Sequence, residues 1–121
     1  MKINEIKIFG LSYFQLLFIF HILFVSILFI YIGFVRNETP NWLYQLLGII
    51  AIIIILYHSY RLYTRGLRDN IWNYFHIFVI APILLWVAYQ KTKTTRIIYD
   101  FFIILGFGAL GINLFKLKSS L

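Results

Sequence analysis

Four apolar runs divide this chain, and the polar clusters between them are short. Hydrophobic residues extend almost unbroken from Ile8 to Phe34, where Arg36-Asn37-Glu38 interrupts them. They resume from Pro40 to Tyr60, from Ile71 to Tyr89 and from Ile97 to Phe115. Each run supplies the roughly 20 residues that a helix needs to cross a bilayer. The runs are apolar on every side, as helices in lipid are. They lack the alternation of a membrane barrel, which also needs about eight segments. The pattern therefore predicts an all-α membrane protein with four transmembrane helices, forming a single transmembrane domain over residues 1–121. The first run is too long for the apolar part of a signal peptide, and no small-x-small cleavage pattern follows it. It is expected to remain as a helix.

Sliding the chain against itself by 55 positions aligns the first pair of runs with the second without a gap. Phe20-His21-Ile22 falls on Phe75-His76-Ile77, Thr39 on Thr94, Tyr44 on Tyr99, Arg36 on Lys91, Ala51 on Gly106 and His58 on Asn113. Apolar matches carry little weight in an Ile/Leu/Phe-rich chain, so the polar and small-residue matches make the case. The predicted units are about 8–63 and 68–118. Each holds two spans, so both insert in the same orientation, as parallel repeats do. The expected architecture is two tandem helical hairpins with pseudo-two-fold symmetry. Thr39 ahead of Pro40 reads as a helix cap with proline in the first turn, and Thr94 takes the same place in the second unit. Asp69-Asn70 is expected to cap the third helix, and Gly66 to break the middle loop.

Composition narrows the class further. Hydrophobic residues make up 62% of the 121 residues and charged residues only 12%, against about 25% charged in a soluble domain. A water-soluble fold of this size buries only about two-thirds of its surface, which cannot hide so much apolar area. With no cysteine, disulfides, thiolate catalysis and Cys-based zinc sites are excluded. The net charge of +7 is best read as topology. Lys2, Lys7, Arg61, Arg65, Arg68, Lys116 and Lys118 share one side, and Arg36, Lys91, Lys93 and Arg96 the other. The more basic side is expected inside, with both termini there, facing anionic lipids. No basic surface is long enough for a nucleic-acid partner. The lipid bilayer is the expected partner, with homo-oligomers or other membrane proteins in addition.

Helix faces follow from spacing. Tyr44, Ala51 and His58 lie on one face of the second helix at heptad spacing, as do Tyr99, Gly106 and Asn113 on the fourth. These six are the predicted helix interface: small residues permit close approach, and polar ends can bond across it. Ser26/Ala81 and Gly33/Ala88 mark the matching faces of the first and third helices. At about 100° per residue, His21 and His76 fall roughly 130° away from those faces. Pro82, inside the third helix, is expected to kink it; a gating hinge is the sharper alternative.

One constellation has chemical potential. At about 1.5 Å per residue, His21, His58, His76 and Asn113 fall in one layer near the inner edge of the hydrocarbon. Ionisable groups inside a membrane are candidate functional groups. His21 and His76 can act as axial ligands of a b-type haem, and His21, His58 and His76 as ligands of zinc or copper; a proton path is a third option. The simpler reading is neutral imidazoles bonded to Asn113, Tyr57, Asn73 or backbone carbonyls, with no cofactor. No carboxylate accompanies them: Asp69 is expected at the inner surface, and Asp100 and Glu38 towards the outer one. Asp100 is expected to pair with Arg96 one turn earlier. No nucleophile–base pair, phosphate loop, HExxH or selectivity-filter sequence is present, so no enzymatic activity is expected.

Phe75-His76-Ile77 followed by Ala81-Pro82, with Thr39-Pro40-Asn41-Trp42-Leu43-Tyr44 and Tyr57-His58-Ser59-Tyr60-Arg61, resembles small four-span membrane proteins of large DNA viruses. The resemblance runs from about Phe20 to Phe115. It implies a location in a viral or host-derived membrane and transfers no catalytic residue. The functional expectation is a structural or assembly component of a membrane, viral in setting by the resemblance, with an oligomeric channel or small transporter as the alternative.

Overall fold

The structure is a computed structural model that describes residues 7–68 and 70–121. Two short strands, β1 (Lys7–Ile8) and β2 (Leu11–Ser12), precede four long helices. These are α1 (Tyr13–Glu38), α2 (Asn41–Arg65), α3 (Ile71–Lys93) and α4 (Arg96–Ser120), each long and apolar enough to cross a membrane. Two compact units result. One holds α1 with the Tyr99–Leu121 part of α4, and the other is Asn37–Ile98, with α2 and α3. The expected positions Lys2 and Asp69 lie outside the described residues.

The first helix begins later than the Ile8 expected from hydropathy. Phe9 and Gly10 both take positive φ, 55° and 76°, as the two central residues of a tight hairpin turn require. Lys7 pairs with Ser12 and Ile8 with Leu11 across it. Ser12 then starts the helix: its Oγ accepts from the Gln15 N–H at 3.2 Å, and Gln15 Oε1 accepts from the Ser12 N–H at 3.0 Å. This reciprocal cap satisfies two donors that a helix start leaves open.

Neither threonine caps as expected. The cap position of α2 falls on Pro40, with no side-chain bond. Thr94 bonds backwards, its Oγ1 donating to the Lys91 carbonyl at 2.6 Å and its N–H to the same oxygen at 3.0 Å. It closes the turn that ends α3 instead of opening α4. Asn70 does cap α3, accepting from the Trp72 N–H at 2.8 Å.

Irregularities in α1 and α3 fall at matching places. A π turn spans His21–Val25 in α1 and His76–Ile80 in α3, and a 3-10 turn follows at Arg36–Glu38 and at Lys91–Lys93. The backbone turns through positive φ at Arg36 (54°) and Lys91 (52°). The bounds of α2 and α4 are offset by the same 55 positions. Buried residues also pair at that offset: Ser26 with Ala81, Phe29 with Leu84, Ile32 with Val87, Tyr44 with Tyr99, Leu47 with Phe102 and Thr39 with Thr94.

The expected proline kink gives way to a different account. Pro82 sits just after the π turn of α3, but α1 makes the same turn with Ile27 in that place. Proline therefore does not create the irregularity. It occupies a site where the hydrogen-bond register has already widened, and such local adjustments are what allow proline in membrane helices. The wide turn also changes the helix face. The Ser26 N–H and Oγ both reach the His21 carbonyl, the latter at 2.9 Å. Residue 26 thus returns over residue 21, rather than roughly 130° around from it at regular helical spacing.

Candidate functional site

The seam between α1 and α4 is built on two glycines. A Cβ at Gly33 would stand 2.4 Å from Ile103 Cγ1 and 3.0 Å from both the Ile103 nitrogen and the Tyr99 oxygen. A Cβ at Gly106 would stand 2.6 Å from Ile30 Cγ1, 3.0 Å from the Ile30 nitrogen and 3.1 Å from the Ser26 oxygen. Each helix contributes one glycine against the backbone of the other, the close approach that small residues allow in membranes. Phe29 and Phe102 meet edge to face beside it, with ring centroids 5.2 Å apart. Both ends of the seam are fastened. Arg36 Nη2 donates to Asp100 Oδ1 at 2.5 Å, and Gln15 Nε2 donates to the Ser120 carbonyl at 3.1 Å. The Asp100 partner is thus Arg36, not Arg96. Sequence spacing favoured the local pair, but α4 runs back along α1 and brings the end of α1 to the start of α4.

The seam between α2 and α3 repeats the positions with other residues. Gly48 stands where α4 has Ile103, and Ala88 where α1 has Gly33. A Cβ at Gly48 would lie 3.4 Å from the Ala88 Cβ, an ordinary contact. The predicted interface residues Tyr44, Ala51, Tyr99 and Gly106 are buried, while His58 and Asn113 are half-buried. Asn113 donates to the Ala109 carbonyl of its own helix at 2.7 Å.

Of the three histidines, the structure brings His58 and His76 together. Their rings stack with centroids 4.4 Å apart and planes 17° from parallel. His58 Nδ1 bonds Asn73 Oδ1 at 2.8 Å, and Asn73 is only 1% exposed. His76 Nδ1 bonds the Trp72 carbonyl at 2.7 Å, and His21 Nδ1 bonds the Leu17 carbonyl at 2.8 Å. His21 lies in the other compact unit from His58 and His76. Each acceptor is an oxygen, so each Nδ1 donates and the neutral ring carries its lone pair on Nε2. Backbone orientation of this sort also serves metal-binding histidines. Stacking works against a chelate, however. Ring-nitrogen lone pairs lie in the ring planes, so two nearly parallel imidazoles direct them side by side and not toward a common ion. Among the described residues, no group of three or more His, Asp or Glu side chains is placed to hold a metal ion. Tyr57 packs edge-on against His58 at 5.0 Å, and the Arg61 guanidinium lies 5.9 Å from the Tyr57 ring centre.

Sequence spacing missed the Arg36–Asp100 pair and the Gln15–Ser120 tie. A usable signal was the alignment of Arg36 with Lys91 at the ends of equivalent helices. No protein-family model, curated protein or solved structure matches the chain.

Proposed function

We propose that this chain is a non-enzymatic polytopic membrane protein that serves as a structural or assembly component of its membrane. The observation that carries the reading is the use made of the buried polar side chains. Ser26 bonds the His21 carbonyl, Thr94 bonds the Lys91 carbonyl, and Asn73 bonds His58. Two of these bonds are spent within a single helix or turn and the third joins α2 to α3, and the buried hydrophobic core around them is Phe, Ile, Leu, Val, Ala and Tyr. A solute path needs polar groups directed at the solute. Reconstitution into proteoliposomes tests the reading: no ion or solute flux above protein-free vesicles is expected. Substantial flux would put the channel or transporter first.

The chain is further read as a tandem duplication of one two-helix unit, two hairpins related by a pseudo-two-fold axis. The support is the 55-residue recurrence of π turns, 3-10 turns and buried positions. Both termini are assigned to the more basic side, from the charge count. Single cysteines at Ser119 and Glu38 should label from opposite faces; labelling from one face would overturn the topology. The viral setting rests on the sequence resemblance. The histidines are assigned hydrogen-bonding roles with no cofactor, so the purified protein should be colourless and metal-free. A stoichiometric Soret band or bound metal, lost on His21→Gln or His76→Gln, would make it an electron-transfer or metal protein instead.

A further inference from the structure

We propose that the hairpin ahead of α1 is a membrane anchor in its own right, with the Phe9 ring at its tip seated in lipid at the boundary between headgroups and acyl chains, an inference that rests on the membrane-spanning reading. The residue is unusual for its place. Phe9 and Gly10 are the two central residues of the turn, both at positive φ, and Ile8 pairs with Leu11 directly across them. Two-residue turns with this backbone favour Asn-Gly, Asp-Gly or Gly-Gly, because a bulky side chain crowds the backbone at positive φ. Phenylalanine in the first position therefore works against the turn. Packing does not offset this, since Phe9 is 96% exposed. A large apolar ring held out on a strained, rigid tip is explained by what lies outside the fold.

Depth identifies that surroundings as lipid. Arg36, paired with Asp100, marks the end of α1 that leaves the hydrocarbon on one side. Tyr13 stands 23 residues before it, about 35 Å away at ~1.5 Å per residue. A hydrocarbon core of about 30 Å therefore ends close to Tyr13. The helix and the hairpin are joined without slack: β2 ends at Ser12, whose reciprocal bonds with Gln15 start the helix. Phe9 is four residues from Tyr13, so an extended chain puts it at most about 14 Å away. The tip is thus tethered within reach of the headgroup–acyl boundary. Gln15 also bonds the Ser120 carbonyl and Oγ, which sets the hairpin beside the end of α4 that carries Lys116 and Lys118. Aromatic rings beside basic residues are the composition of segments that lie in the interface.

Spin labels on the full chain in phosphatidylcholine–phosphatidylglycerol vesicles test this, since the chain has no cysteine of its own. Labels are placed singly through Phe9→Cys, Leu11→Cys, Ser119→Cys and Ile53→Cys, and collisions with oxygen and with a water-soluble nickel chelate are compared. At position 9 the ratio of oxygen to nickel collisions should be severalfold higher than at position 119, the aqueous reference. Phe9→Asn then removes the ring while giving the turn its favoured Asn-Gly sequence, so the hairpin itself is kept. In that variant the label at position 11 should become more mobile and shift towards nickel. A water-like ratio at position 9, or an unchanged label at position 11 in Phe9→Asn, would overturn the anchor. Shielding of position 9 from both reagents would show protein over the tip, from this chain or a second copy, and would overturn it too. Position 53, in the middle of α2, should favour oxygen strongly. A water-like ratio there would count against the spanning reading itself.

Discussion

Between α1 and α4, glycine stands on both sides of the seam, so each backbone touches the other, and polar bonds fasten both ends. Between α2 and α3, the same register carries Gly48 opposite Ala88. There the polar fastening is the His58–Asn73 bond toward the end of α2. At the other end Lys91 faces a helix that has Gln45 where α4 has Asp100. Positions 55 residues apart are thus filled in two ways. The first pair relies on close backbone approach and a distant ion pair. The second relies on a buried amide and stacked imidazoles, and its turn gathers three cations with no carboxylate at the matching position. Shared register shows which positions the fold needs, and the differences show which are open to function.

The largest expected contrast comes from adding one methyl group to each seam. Gly33→Ala and Gly106→Ala each drive a Cβ into backbone atoms at 3.0 Å and a β-branched side chain closer still. Overpacking of this kind costs about 1–3 kcal/mol. Gly48→Ala meets only the Ala88 Cβ at 3.4 Å and should stay within about 0.5 kcal/mol of wild type. Unfolding in mixed micelles with increasing denaturing detergent, followed by tryptophan fluorescence, measures all three. Equal losses at Gly33 and Gly48 would remove the distinction between a glycine-tight and an alanine-spaced seam.

Asn73→Ala should have the next largest effect. It removes the acceptor for His58 Nδ1 in a site where Asn73 is almost wholly enclosed. Polar bonds between membrane helices average about 0.6 kcal/mol and reach about 1.7, and the stacked neighbour ring puts this one toward the upper part of that range. Asn113→Ala serves as the comparison, since the bond that Asn113 donates goes to a carbonyl of its own helix. It should change stability by less than Asn73→Ala in the same assay. The reverse order would mean that the bond between α2 and α3 contributes less than a bond made within one helix.

Much of this organisation can be read directly from residue order. Runs of about 20 apolar residues announce four helices, because a bilayer admits few other solutions. The Phe-His-Ile match falls where both π turns begin. Heptad spacing places Tyr44, Ala51, Tyr99 and Gly106 on faces where all four are buried. Other features depend on facts that spacing does not contain. The π turns have no composition signal, since Pro82 accompanies one and Ile27 the other. What they share is a histidine whose Nδ1 bonds the carbonyl four residues back. Nor does hydropathy separate Ile8 from the helix; Phe9 in a positive-φ turn does that. Arg96 lay at the right local spacing for Asp100, yet which cation arrives is decided by the neighbouring helix.

The ion pair carries the smallest expected effect and the sharpest signature. Arg36 and Asp100 side chains are 33% and 49% exposed, so solvent and salt screen them, and exposed pairs contribute about 0.2–1 kcal/mol. Arg36→Gln or Asp100→Asn should lower stability by no more than that. Each should also flatten its dependence on salt, because the pair that salt weakens is gone. The exchange Arg36→Asp with Asp100→Arg should recover part of the loss, since the two positions face each other whichever charge each holds. Gln45→Asp builds the same pair in the other half, joining the new carboxylate to the Lys91 side of that seam by the register that joins Asp100 to Arg36. A rise in stability by a similar fraction of a kcal/mol would show that the register of the first pair holds for a carboxylate in the second, and no change would show that it does not.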